Sequence, residues 1–140
     1  MNSRMVHILL VEDDDVDAEA VQRAFNKHKI ANPIVIAKNG VEALEVLQNG
    51  GVPRPNIILL DLNMPRMNGI EFLVAIREDP KLQDLVVFVL TTSDEDRDKC
   101  AAYNQNVAGY LVKSKVGDGF INLVEMLDCY WRYVELPPKK

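Results

Sequence analysis

The feature that most constrains the fold is a set of short apolar runs at residues 6–11, 34–37, 57–60, 86–90 and 109–112, each followed by a segment whose apolar residues fall at helical spacing. Runs with almost no polar alternation (His7 interrupts the first) suit strands buried on both faces, as in parallel sheets covered by helices. Strict alternation of strand and helix implies an α/β architecture, a doubly wound parallel sheet with helices on both faces and right-handed crossovers. A chain of 140 residues has room for one well-buried core and not for two. We therefore expect one domain over residues 1–140, with a structured core at about 6–134 and a loose tail at 135–140 that carries Pro137-Pro138.

The helical segments have recognisable ends. In the first, Ala20, Val21, Ala24 and Phe25 follow Val16, and Lys27, His28 and Lys29 gather where the helix dipole favours cations. Asn39-Gly40 opens the second, which carries Val41, Leu44 and Leu47 and ends before Gly50-Gly51. Ile70, Leu73, Val74 and Ile76 mark the third, which stops at Asp79-Pro80. Ser93 or a neighbour is expected to cap the fourth, with Asp94, Glu95 and Asp96 in its first turn and Cys100, Ala101 and Tyr103 further along. The last, from around Asp118, shows a core face of Phe120, Leu123, Val124, Leu127, Trp131 and Val134 beside a second ridge of Met126, Tyr130 and Tyr133. Such a ridge is either extra packing or a docking or homodimer surface, and the second is the expectation.

Composition excludes several classes of function. A net charge of −5 disfavours nucleic-acid binding, which relies on clustered Lys and Arg. No stretch is apolar and long enough to cross a bilayer, and the N-terminus meets four acids too early for a secretion signal. Cys100 and Cys129 lack CxxC spacing and read as free thiols in a reducing, cytoplasmic setting.

In an open α/β sheet a ligand binds outside the carboxyl ends of the strands. The first run ends in Glu12 and Asp13, the third in Asp61 followed by Asn63, the fourth in Thr91 and the fifth in Lys113. Each alone has an ordinary explanation: a dipole complement, a cap, a surface charge. Together at one edge they suggest a site. Three converging carboxylates repel unless a cation neutralises them. With no His or Cys at those ends, the donors are hard oxygens that fit Mg²⁺, or alternatively Mn²⁺, and not an ordinary zinc site. Mg²⁺ leaves room for a phosphoryl group, whose other oxygens want a hydroxyl (Thr91) and an ammonium (Lys113). Asp61, at the end of a middle strand, is then best placed as the nucleophile that forms an acyl phosphate.

The motifs LLVEDD, LDLNMP, VLTTS and GYLVKS, in this order and spacing, resemble the receiver domain of two-component response regulators over nearly the whole chain. The resemblance implies a flavodoxin-like (βα)5 sandwich, a five-stranded parallel sheet of order 2-1-3-4-5. It implies Asp61 as phosphoacceptor and Glu12 and Asp13 as the acid pair, Asp13 the more direct metal ligand. It further implies the backbone carbonyl of Asn63 as a metal ligand, Thr91 as the switch hydroxyl, Lys113 as the phosphate-contacting lysine and Tyr110 as the aromatic that moves with Thr91. Ser114 stands where most receivers have Pro, so the usual cis peptide after Lys113 is not implied. Thr92 stands where a smaller residue is usual, which would narrow access to Asp61. These departures and the aromatic last helix resemble the stand-alone receivers that accompany bacterial and cyanobacterial phytochrome kinases.

The expected function is thus a single-domain response regulator, phosphorylated on Asp61 by a sensor histidine kinase, a bacteriophytochrome in the narrower likeness. With no residues left for a DNA-binding output domain, it would signal to an unidentified downstream protein through the surface of helix four, strand five and helix five. It would not be an enzyme beyond its own phosphorylation and dephosphorylation. One rival is a phosphohydrolase that forms an aspartyl phosphate, but such enzymes need an acid two residues after the nucleophile, where this chain has Asn63. A phosphorylation-independent adaptor would have no need of Asp61, Asp13, Thr91 and Lys113 together. Flavin binding is disfavoured because acids replace a phosphate loop after strand one.

Overall fold

The computed structural model describes residues 5–138. Strands β1 (His7–Val11), β2 (Ile34–Ala37), β3 (Asn56–Leu60), β4 (Val86–Thr91) and β5 (Gly109–Val112) alternate with helices α1 (Asp15–Lys27), α2 (Gly40–Gln48), α3 (Gly69–Glu78), α4 (Asp96–Asn104) and α5 (Ile121–Tyr133). All neighbouring strands pair in parallel, in the order β2-β1-β3-β4-β5. The flavodoxin-like arrangement expected from the sequence is the one observed.

The period of two along each strand divides the core between the two faces of the sheet. Leu9, Val11, Ile58, Leu60, Val87 and Val89 meet α2, α3 and α4 through Ala43, Leu47, Phe72, Leu73, Ile76 and Ala102. Ile8, Leu10, Ile57, Leu59, Phe88 and Leu90 face α1 and α5 through Ala18, Val21, Phe25, Leu123, Val124 and Leu127. Burying each larger side chain contributes roughly 1.5–3 kcal/mol, so the central β3, buried at every residue, anchors whatever follows it. Short polar side chains set the helix starts. Asp14 Oδ1 accepts from the amides of Val16 and Asp17, Asn39 Oδ1 from Glu42, and Asn68 with Glu71 closes a reciprocal capping box.

Two arginines tie loops at the edges. Arg54 donates to both carboxylate oxygens of Asp84, at 2.8 and 3.2 Å, and to the carbonyls of Lys81 and Pro138. Arg77, on α3, donates to four carbonyls: Gln83 and Leu85 before β4, and Gln105 and Asn106 after α4. Burial lowers the Arg77 pKa.

The structure corrects five sequence expectations. Helix α4 begins at Asp96, behind Glu95, which makes no side-chain cap; Ser93 Oγ instead donates to Asp98 and accepts from the Glu95 amide, one residue short of the helix. Its core contact is Ala102, with Cys100 and Tyr103 exposed, because α4 is a mostly polar helix. The start expected near Asp118 is a separate 3₁₀ turn, Asp118–Phe120, and Phe120, at φ 60°, breaks it from α5. The tail is not loose over its described length. Leu136 is buried in the core under α1 and α5, and Pro138 is held by Arg54. Of the core face expected for the last helix, Val134 lies just past the end of α5 and is exposed, and Trp131 is only partly buried, against Phe25.

Candidate functional site

The ladder hydrogen bonds continue past the strands and set the acids in place. The Glu12 amide donates to the Ala37 carbonyl and the Asp61 amide to the Val11 carbonyl, at 2.9 and 3.0 Å. Asp61 is thereby fixed beside the end of β1, and the residue as a whole is 7% exposed. Its loop then folds back tightly. A Cβ on Gly69 would lie 2.5 Å from the Asp61 carbonyl oxygen and 2.7 Å from Leu62 Cα, so only glycine admits this approach. The Asn63 amide closes the turn by donating to Asp61 Oδ1 at 3.3 Å.

Glu12, Asp13 and Asp61 each offer an oxygen within 4.8 Å of the others, Glu12 and Asp61 buried and Asp13 exposed. This all-oxygen set fits a hard divalent cation. Lys113 enters from β5: its Nζ lies 2.7 Å from Glu12 Oε1, 2.7 Å from Asp17 Oδ2 and 3.7 Å from Asp61 Oδ2. Burial pushes the Glu12 carboxyl up to about 7, aided by the Asp61 charge and opposed by the Lys113 hydrogen bond. For Lys113, burial acts downward, but the hydrogen bonds to Asp17 and Glu12 and the charges of Asp61 and Glu12 outweigh it and hold the ammonium above the usual lysine range.

Thr91 is fully buried, and its Oγ1 has no hydrogen-bond partner among the described residues. An orphaned buried hydroxyl costs about 1–3 kcal/mol, so a ligand oxygen in reach would find a ready donor. Tyr110 donates its hydroxyl to the Ser93 carbonyl at 3.0 Å, linking β5 to the loop after β4. Lys115 and Lys99 both pair with Asp94 of that loop. Thr92 and Ser114 are exposed, and among the described residues the cis peptide is Arg54–Pro55, leaving Lys113–Ser114 trans.

The structure thus gathers Glu12, Asp13, Asp61 and Lys113 at one edge, with Thr91 ending the adjoining strand β4. The α5 ridge is elsewhere and is divided: Tyr130 packs edge-on against Phe88 with ring centroids 5.0 Å apart, Met126 is partly buried, and Tyr133 is 83% exposed. Sequence reasoning missed Asp17, whose acid in a helix's first turn reads as a dipole complement, and Ser93 as the partner of Tyr110. Nothing local signals either contact.

The comparisons agree with this geometry. A family model of the response regulator receiver domain matches residues 8–125. Response regulator Rcp1 of Synechocystis sp. is 38% identical over 128 residues, which span 89% of this chain and 87% of that protein. The crystal structure of the Mn²⁺-bound form of Rcp1 is similar at a TM-score of 0.82 and 37% identity, covering 94% of this chain and 99% of that one. The phosphorylated cyanobacterial phytochrome response regulator RcpA is similar at 0.85 and 32%, covering 96% and 99%. With the acid pocket, the strand order and a match over most of its length, this chain belongs to the response regulator receiver domain family.

Proposed function

We propose that Asp61 accepts a phosphoryl group from a phosphohistidine of a sensor histidine kinase, and that protein partners read the result. The observation that carries this is the meeting, at neighbouring strand ends, of a buried carboxylate, an ammonium 3.7 Å from it and a buried hydroxyl with no partner. An Asp61 oxygen attacks phosphorus, the phosphorus–nitrogen bond of the donor breaks, and the imidazole leaves with the electron pair. Lys113 balances charge on the phosphoryl oxygens and Thr91 Oγ1 donates to one of them. Glu12, Asp13, Asp61 and the Asn63 carbonyl are the groups that would hold Mg²⁺ or Mn²⁺, which when bound neutralises phosphoryl charge.

A donor of this kind fits a cytoplasmic protein; no helix among the described residues is long and apolar enough to cross a membrane. The likeness to RcpA, a cyanobacterial phytochrome response regulator, supports a phytochrome-type kinase as the donor. Output leaves through α4, β5 and α5, where Met126, Tyr130 and Tyr133 offer a surface to a downstream protein or a second copy, with no contact to nucleic acid. Movement of Thr91 toward phosphorylated Asp61 draws on the loop whose Ser93 carbonyl holds Tyr110. Asn63, an amide two residues after the acceptor, cannot serve as the acid of a phosphohydrolase, so phosphoesters are not turned over.

Incubation with acetyl phosphate, with and without Mg²⁺, followed by intact mass, tests the acceptor. One phosphoryl group is expected on the wild type and none on Asp61→Asn; equal labelling of both rejects Asp61. Size-exclusion chromatography before and after beryllofluoride tests the α5 surface, and an unchanged oligomer together with unchanged partner affinity rejects a phosphorylation-switched face.

A further inference from the structure

We infer that Asp17 is a positioning residue for phosphorylation, holding the Lys113 ammonium at a stand-off from Asp61. The inference rests on Asp61 being the acceptor. An ammonium has three donors. Lys113 spends two of them at 2.7 Å, one on Glu12 and one on Asp17, and stays 3.7 Å from Asp61 Oδ2, beyond hydrogen-bond reach. Among the described residues, these two carboxylates are the groups that bond the ammonium and draw it away from Asp61.

The two holders differ in position. Glu12 follows β1 and is 2% exposed, next to Asp61 itself. Asp17 comes from the first turn of α1, where Asp14 Oδ1 receives its amide, and pulls the ammonium from the helix side. Removing the Asp17 charge leaves Lys113 with Glu12 and two uncommitted donors, and Asp61 Oδ2 is the anion already within 3.7 Å. A direct ammonium–carboxylate bond there ties up the nucleophile's lone pairs and commits a donor that an incoming phosphoryl oxygen needs. With Asp17 in place, Oδ2 is left unbonded by the ammonium and the third Lys113 donor stays available to that oxygen.

The experiment is the rate of labelling by acetyl phosphate at saturating Mg²⁺. The Asp61 oxygen–phosphorus bond forms as the donor's phosphorus–oxygen bond breaks and acetate departs. Asp17→Asn is expected to slow labelling by roughly five- to tenfold, the scale of one partly exposed charge-assisted hydrogen bond. Asp17→Glu, which restores a carboxylate, is expected to recover most of the rate. In a Lys113→Met background, Asp17→Asn is expected to change nothing further, because the group it positions is gone. A general loss of structure would slow both backgrounds, and thermal unfolding of each variant identifies it. If the wild type is labelled on Asp61 but Asp17→Asn labels within twofold of it, or if slowing persists in the Lys113→Met background, the positioning role is wrong while the acceptor assignment stands. Failure of the wild type to label on Asp61 overturns both.

Discussion

Gly69→Ala should damage both the stability of this protein and its phosphoryl acceptance. The added Cβ would sit 2.5 Å from the Asp61 carbonyl oxygen and 2.7 Å from Leu62 Cα, both main-chain atoms. A comfortable Cβ contact begins near 3.4 Å, so the loop after β3 must give by almost an ångström. Overpacking of this kind costs about 1–3 kcal/mol, and backbone neighbours place it at the upper end, about 3 kcal/mol. With roughly 2.1 cal/mol/K of unfolding entropy per residue, the 140-residue chain loses about 0.3 kcal/mol per degree. The midpoint should therefore fall by about 10 °C. Because the displaced atoms belong to Asp61 itself, labelling by acetyl phosphate should also slow at temperatures where the variant is folded. Gly40→Ala is the control. Its Cβ would meet Met67 side-chain atoms alone, 2.6 Å from Cγ, 2.8 Å from Sδ and 3.0 Å from Cβ; rotation of Met67 relieves the first two and the last needs only a small shift, so a smaller loss, about 1–2 kcal/mol, is expected. Scanning calorimetry of both variants decides the matter. A Gly69→Ala midpoint within 2–3 °C of wild type, about 1 kcal/mol, would refute the steric reasoning.

Thr91→Val removes an unpartnered buried hydroxyl and keeps its shape, so urea unfolding of the unphosphorylated protein should show it unchanged or up to about 1 kcal/mol more stable, while the response to phosphorylation is lost. Glu12 has a native pKa of about 7 against 4.5 unfolded, so the native state holds the extra proton between those values. Its contribution to stability is complete below pH 4.5 and disappears as pH rises through 7; without divalent metal, wild type should lose stability relative to Glu12→Gln between pH 5 and 8, on the order of 2 kcal/mol in paired urea titrations. Leu136→Ala empties a buried site in the core under α1 and α5 and should cost about 2–3 kcal/mol by thermal melting, where a truly loose tail would cost nothing.

The parts of the fold legible in the sequence are those whose burial is continuous. Ile57 to Leu60 are all 0% exposed, and a strand with no solvent face has no polar residue to confuse the reading. The acids and Lys113 were legible because strand ends point to one edge whatever the helices do. α4 was not, since a peripheral helix that buries only Ala102 leaves a weak periodic signal, and Ser93, a good cap by type, is spent on Asp98. Asp17 was hidden for another reason: its partner is 96 residues away. Leu136 likewise follows the last helix among prolines and charges, and it is buried against residues of α1 and the strands far back in the chain.

The four carbonyls gathered by Arg77 make α4 a lever with its fulcrum at one end. Gln105 and Asn106, just past the C-terminal end of the helix, are pinned to α3, whereas the first turn has no cap and is tethered by side-chain ion pairs such as Lys99 with Asp94. A torque applied near Thr91 would therefore swing the Asp96 end through the widest arc and leave Asn104 nearly still. Spin labels at Arg97 and Asn104 would read different amplitudes from one motion, and a partner that grips the first turn of α4 would feel the signal most strongly.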